Sequence, residues 1–310
     1  MDQISMRTGT ILDMSANEYF ADPCPKPSLT QSIAKILIDQ SPAHARLVHP
    51  KLNGLGYKPE LGEYKSATAI GNAAHKLVLG RGKDIAVLEF KDFRTDAAKT
   101  ARDETIASGG VPILAKHHNV AKALAAAIRE QLDLAGCGAA FEIGNAEVVM
   151  IAERDGTYFR SMVDWMVSPT LFYDLKTLSS SAAPYTAPSR MVDHGWDVQA
   201  AMQEHILDVL DGTGDIYTHP GRRKFRFVAV ENEEPFALTV NELPEEAMTM
   251  GRKKLHHAIR IWRECMKNGH WPGYPPIVNR PEYPNFAANQ WLNREIAEES
   301  RFDPEVVMAG

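Results

Sequence analysis

The stretch that most limits how this chain can fold is Phe159–Thr177, FRSMVDWMVSPTLFYDLKT. The turn-forming pair Ser168-Pro169 divides two largely apolar runs, so the stretch reads as two neighbouring strands. Alternation along a strand puts residues i and i+2 on one face. Asp174 and Lys176 therefore project together, Leu175 points into the core, and Asp164 lies on the adjacent strand. Two carboxylates and an ammonium inside a hydrophobic sheet are costly unless something compensates them. A divalent cation would do so, because Mg²⁺ is held by a few carboxylates together with waters and phosphate oxygens.

The flanking sequence supplies further candidates. Asp155-Gly156 is a hairpin signal between NAEVVMIAER and TYFRSMVDWMV, and LFYDLKTL follows, so the acids sit on a β-meander. Glu147, on the first of these strands, is a third acid for the site or an exposed strand-end glutamate. Upstream, Ala67–Leu79 is a helix signal ended by Gly80, with small residues that allow close packing. Its His75 reads either as a core histidine bonded to a carbonyl or as a metal ligand. Downstream, a long helix over about 189–210 carries Gln199 and Gln203 one turn apart.

The remaining chain is read as follows. Residues 1–27 form an extended arm, and 51–66 a glycine-rich loop. Helices are expected after Ser28 or Thr30, over 94–108 and 115–134, from Pro244 to about Asn268, and over 287–300. FRFVAV and FALTVNEL read as strands. No secretory signal and no apolar run long enough for a membrane span is visible. Three scattered cysteines argue for a reducing compartment and against a disulfide framework or a cysteine-held cluster.

With a formal net charge of −6, nucleic-acid contact would be confined to local basic patches. Candidates are Arg94, Arg160 and the run Arg222-Arg223-Lys224, each with a solvated or structurally paired surface charge as the alternative. Arg160 shares a strand face with Asp164, within reach of a phosphate or of Glu147.

Taken in order, Ser41-Pro42-Ala43-His44, Ile70-Gly71-Asn72-Ala73-Ala74-His75, Arg94-Thr95, Glu147, Arg160 with Asp164, Asp174-Leu175-Lys176-Thr177 and Trp196-Asp197-Val198-Gln199 resemble the PD-(D/E)XK nuclease superfamily. The closer resemblance is to its RecE-type branch, the exonuclease VIII C-terminal domain of phage and prophage recombination. Two positions depart from the pattern: Val163 replaces the usual proline, and Gln203 a common tyrosine. The resemblance implies an α/β restriction-endonuclease-like core, a central mixed β-sheet flanked by helices. It would span 28–276, between the arm and a C-terminal tail over 277–310.

By the same resemblance, His75, Asp164, Asp174 and the Leu175 carbonyl bind Mg²⁺, with Mn²⁺ able to substitute. Lys176 assists the attacking water, while Glu147 and Gln199 complete the catalytic set. The implied activity is digestion of linear double-stranded DNA from an end, leaving single-stranded tails. A ring-shaped homo-oligomer (trimer or tetramer), a RecT- or Beta-type annealing partner and a bacterial cytoplasmic setting are also implied. The alternatives are a RecB-like single-strand or endo-acting nuclease, and a non-catalytic nucleic-acid-binding protein that keeps the fold.

Overall fold

The computed structural model describes residues 8–54, 64–212 and 223–302. The chain divides into two compact units, residues 1–273 and 274–310. In chain order the first contains β1 (Gly9–Ile11), α1 (Ala16–Phe20), β2 (Ser28–Leu29), α2 (Gln31–Asp39), α3 (Pro42–Val48) and α4 (Ser66–Leu79). Then come β3 (Ile85–Leu88), α5 (Asp96–Ala107), β4 (Val111–Leu114), α6 (Ala115–Leu134), β5 (Asn145–Arg154), β6 (Thr157–Ser168) and β7 (Leu171–Leu178). The unit closes with α7 (Ala187–His194), α8 (Trp196–Leu210), β8 (Lys224–Glu231), β9 (Leu238–Glu242) and α9 (Glu245–Asn268). The second unit carries α10 (Asn285–Phe302), with an Arg294–Glu298 pair one turn apart. Among the described residues no helix is long and apolar enough to cross a membrane.

Among the described residues the main sheet has seven strands in the order β1-β5-β6-β7-β8-β9, with β2 added beside β6. It is mixed: β7–β8 and β2–β6 run parallel, and the other neighbours antiparallel. One edge of β6 pairs with β5 from Thr157 to Met166, with a break at Asp164. The other edge is shared, β7 taking Trp165–Ser168 and β2 taking Tyr158–Phe159. Residues 160–164 lie in the gap between them, where the sheet forks.

Among the described residues two large cores cover the sheet, and a third, small cluster packs Tyr19 and Cys24 against Val149 and Ile151. One packs α2, α8 and α9 against Val148, Met150, Phe159, Val163, Phe172 and Phe227. The other packs α4 and α6 against Ala146, Trp165, Tyr173, Leu175 and Val228. Ala146 and Val148 share strand parity yet serve opposite cores, and so do Val163 and Trp165. The reversal falls at Glu147, whose φ of 49° interrupts the extended backbone, and at Asp164 opposite it. Both acids thus sit where the sheet changes the face it presents.

The structure corrects the reading of 189–210 as one helix. It breaks at Gly195, which has φ 68° and ends α7, and where a Cβ would lie 2.8 Å from the Lys35 side chain. Nor is the segment 1–27 wholly extended: residues 9–11 pair with β5, and α1 is closed by a Ser15–Glu18 capping box.

Helix α8 is buried from Trp196 to Asp208 despite its polar residues. Its acids are matched by cations: Asp197 by Lys254, Glu204 by Arg252 and Asp208 by Arg223. Among the described residues His205 has no such partner and neither ring nitrogen is hydrogen-bonded; it packs edge-on against Phe159 at 4.6 Å. Burial, reinforced by Arg154 and Arg263, pushes its pKa down to about 4. The unfolded chain takes up this proton below its ordinary pKa of about 6.5, and the folded chain only near 4, so stability falls as pH drops through that window. Between pH 7.5 and 5 this one group is expected to cost about 2 kcal/mol. His205→Leu should remove that share of the acid sensitivity in urea unfolding compared at the two pH values. An unchanged slope would contradict it.

Candidate active site

The fork in the sheet builds the site. Beyond the Trp165–Tyr173 pair, β6 and β7 are no longer hydrogen-bonded to each other as strands. In the opening, the Leu175 N–H donates to Asp164 Oδ2 at 2.9 Å instead of to a backbone carbonyl. Asp164 is met from α4 by His75, Nε2 to Oδ2 3.4 Å. Close packing makes that approach possible, because a Cβ on Gly71 would lie 2.5 Å from Thr177 Oγ1. The pairs Ala146–Trp165 and Val148–Val163 place Glu147 directly opposite Asp164. A methyl group on Gly82 would sit 3.4 Å from Glu147 Oε1 and 3.6 Å from His75 Nδ1, so that turn passes over both.

Asp174 and Lys176 project toward α8, on the side away from α4, as strand parity requires. Lys176 Nζ lies 2.5 Å from Asp174 Oδ1 and donates to Gln199 Oε1 at 3.0 Å. The Gln199 amide donates in turn to Asp174 Oδ2, closing a three-residue ring. Asp174 Oδ1 touches the ammonium outside hydrogen-bond geometry and has no other partner among the described residues.

The electrostatics follow from burial set against these neighbours. Burial pushes Asp164 up, but His75, Lys176 and the Leu175 N–H outweigh it and hold the carboxyl below its ordinary pKa. Asp174 is driven up by burial and by the charge on Asp164, which Lys176 and Gln199 only partly offset. Burial alone would lower Lys176, yet Asp174 and Asp164 hold it above its ordinary value, so it is an ammonium. For His75 the desolvation cost is overcome by Asp164, Glu147 and Asp174, which raise it. Glu147 is raised by burial and by Asp164.

His75, Glu147, Asp164 and Leu175 line a cleft of about 520 Å³. Its walls add residues that the sequence did not single out for chemistry: Phe20 of α1, Lys83 after α4, Met162, and the polar Thr68, Ser179 and Asn232. No spacing or motif marks these positions.

The donor set suits a hard divalent cation. It offers two opposed carboxylates that repel each other without one, a buried Asp174 oxygen lacking a hydrogen bond, and one imidazole. In the conformation described, no three acid, cysteine or imidazole side chains among the described residues converge on one point, since Asp174 is engaged by Lys176 and Gln199.

Of the basic residues expected at DNA, two have other work. Arg160 is buried, donates to Ser28 Oγ at 2.7 Å and to the Tyr19 carbonyl, and faces Asp22 at 3.4 Å. It anchors the N-terminal segment to the sheet and reaches neither the cleft nor Glu147. Arg223 is buried against Asp208 and Asp211. Both readings are corrected for the same reason: a guanidinium buried inside the protein and engaged there by carboxylates or backbone is out of reach of a phosphate. Arg94 is exposed beside Asp92, Lys224 pairs with Glu242 at 3.4 Å, and neither lines the cleft. Arg222 lies outside the described residues.

Residues 36–279 match the family model described as a PDDEXK-like domain of unknown function (DUF3799). A crystal structure from Eubacterium rectale, described there by a provisional assignment as an exonuclease, shares the fold at TM-score 0.54 and 15% identity. The similarity covers 88% of this chain and 96% of that one. No curated protein sequence matches the chain.

Proposed function

The chain belongs to the PDDEXK-like DUF3799 family, and from that premise we propose that it is a metal-dependent nuclease acting on linear double-stranded DNA from an end. The observation that carries this reading is the pairing, across the fork of β6 and β7, of His75 and Asp164 with the Asp174–Lys176–Gln199 ring. A protein that only binds nucleic acid has no use for this costly burial of charge.

Asp164, Asp174, His75 and the Leu175 carbonyl would hold Mg²⁺ or Mn²⁺, with Glu147 beside them. When bound, such an ion supplies Lewis-acid stabilisation of charge on a phosphoryl oxygen. The chain's own residues do the positioning. Lys176, held as an ammonium, donates to the attacking water or to a non-bridging phosphate oxygen and stabilises the charge that develops there. Gln199 fixes both Lys176 and Asp174 through one amide, so neither swings away as charge shifts. By resemblance to the RecE-type branch, the reading extends to single-stranded tails for recombination, a ring-shaped homo-oligomer and an annealing-protein partner.

The test uses end-labelled linear duplex, linear single strand and closed circular duplex with Mg²⁺, Mn²⁺ or EDTA. Linear duplex should be shortened in either metal and persist in EDTA. Persistence in both metals would sink the proposal, and equal loss of circles would make the enzyme endo-acting.

A further inference from the structure

Phe20 ends α1 with 56% of its surface exposed, and it lines the same cleft as His75 and Asp164. A single exposed aromatic is ordinary on a protein surface. Two features set this one apart. Lys83, also in the cleft lining, holds Nζ 5.5 Å over the ring and has no carboxylate partner among the described residues. The ring is also presented from a rigid base. Tyr19 beside it is buried and meets the Phe20 ring edge-on at 5.2 Å. The Tyr19 carbonyl is bound by Arg160, whose guanidinium lies 4.7 Å over the Tyr19 ring. A flat ring braced in this way, more than half exposed and next to an ammonium with no carboxylate partner among the described residues, loses little entropy when another flat group stacks on it.

The geometry points to Phe20 and Lys83 as a stacking site for a nucleobase of the strand entering the cleft, the ring taking the base face and the ammonium the adjoining phosphate. The inference rests on the nuclease reading of the same cleft and deepens it. Every base has a π-face, so the site is sequence-tolerant. Inside a duplex that face is covered by the neighbouring pairs, so the base that the site takes is one that has left the stack at the end of the strand presented to His75 and Asp164. The assignment also explains why the buried Arg160 network matters: it fixes the platform and touches no DNA itself.

The test is fluorescence anisotropy of the full chain with a labelled single-stranded oligonucleotide and an abasic oligonucleotide of equal length, in Ca²⁺. Cleavage of linear duplex in Mg²⁺ or Mn²⁺ is followed in parallel. Phe20→Ala should weaken binding of the base-bearing strand by roughly tenfold to a hundredfold and leave the abasic strand unaffected, while Phe20→Trp restores the contact. Lys83→Ala should weaken both strands alike and lower the salt slope by about one. The thermal midpoint of Phe20→Ala should match that of the unaltered protein, since the ring is exposed. If the unaltered protein neither binds these strands nor cuts DNA, the nuclease reading and this inference fall together. If it cuts DNA while Phe20→Ala binds the base-bearing strand equally well, or while bases add nothing to affinity, this inference alone falls.

Discussion

Lys176→Ala is expected to slow hydrolysis of linear duplex by about 10²- to 10⁴-fold in single-turnover assays with Mg²⁺. Among the described residues the ammonium is the one cationic group that both touches Asp174, at 2.5 Å, and is hydrogen-bonded to helix α8, through Gln199 at 3.0 Å. On the proposed reading, removing it would take away the donor that meets developing charge, a loss that binding elsewhere would not recover. Lys176→Arg should not rescue, because a planar guanidinium is larger and cannot occupy the same ring with Asp174 and Gln199. A thermal melt separates this from unfolding. Asp174 keeps its bond from Gln199 and already has a raised pKa, so it can take up a proton when the ammonium goes. Full activity in a folded Lys176→Ala protein would refute the assigned role.

The largest stability effect is expected away from the chemistry. Arg252 of α9 grips Glu204 of α8 with two parallel bonds, 2.6 and 3.0 Å, and a third bond of 2.5 Å reaches Glu245. The hydrogen bonds it donates to Glu204, and then to Glu245, hold the guanidinium firmly charged against the cost of burial. Arg252 and Glu204 side chains are each 4% exposed, so Arg252→Met leaves a carboxylate stranded in the core. The expected loss is about 3–5 kcal/mol, read as a lower urea midpoint. Replacing both partners, Arg252→Met with Glu204→Leu, should recover most of it, because the charge that needed the guanidinium is gone. A single variant within about 1 kcal/mol of the parent would show that Glu204 finds another partner or a proton at little cost. Because α8 carries Gln199, the single variant should also lose activity before it unfolds, and the double variant should regain it.

Much of the site was legible in advance because strand parity is local. The i, i+2 spacing alone put Asp174 and Lys176 on one face and buried Leu175, as found. The Gly71–His75 helix was readable from its small residues and its glycine stop, and α6 ends at Leu134 as its periodicity predicts. The reversal at Glu147 and Asp164 was not legible. NAEVVMIAER is apolar on both faces, so alternation has nothing to report, and only the φ of 49° at Glu147 shows the change. Nor did the polar residues of α8 announce a buried helix, since their partners Arg223, Arg252 and Lys254 are distant in sequence. Arg160 and Arg223 were misread for a related reason: a cation in sequence carries no sign of whether its carboxylate lies in the fold.

By itself, the sequence determined which of the candidate site residues share a strand or a helix face, because backbone periodicity fixes those relations within an element. Tertiary structure alone decided how the elements meet. The forked edge of β6, shared between β2 and β7, lets Asp164 look toward α4 while Asp174 looks toward α8. It also set the N-terminal segment beside the cleft, bringing Phe20 and Lys83 to the rim. Such long-range placement depends on burial and charge pairing between segments far apart in the chain, which no local pattern records.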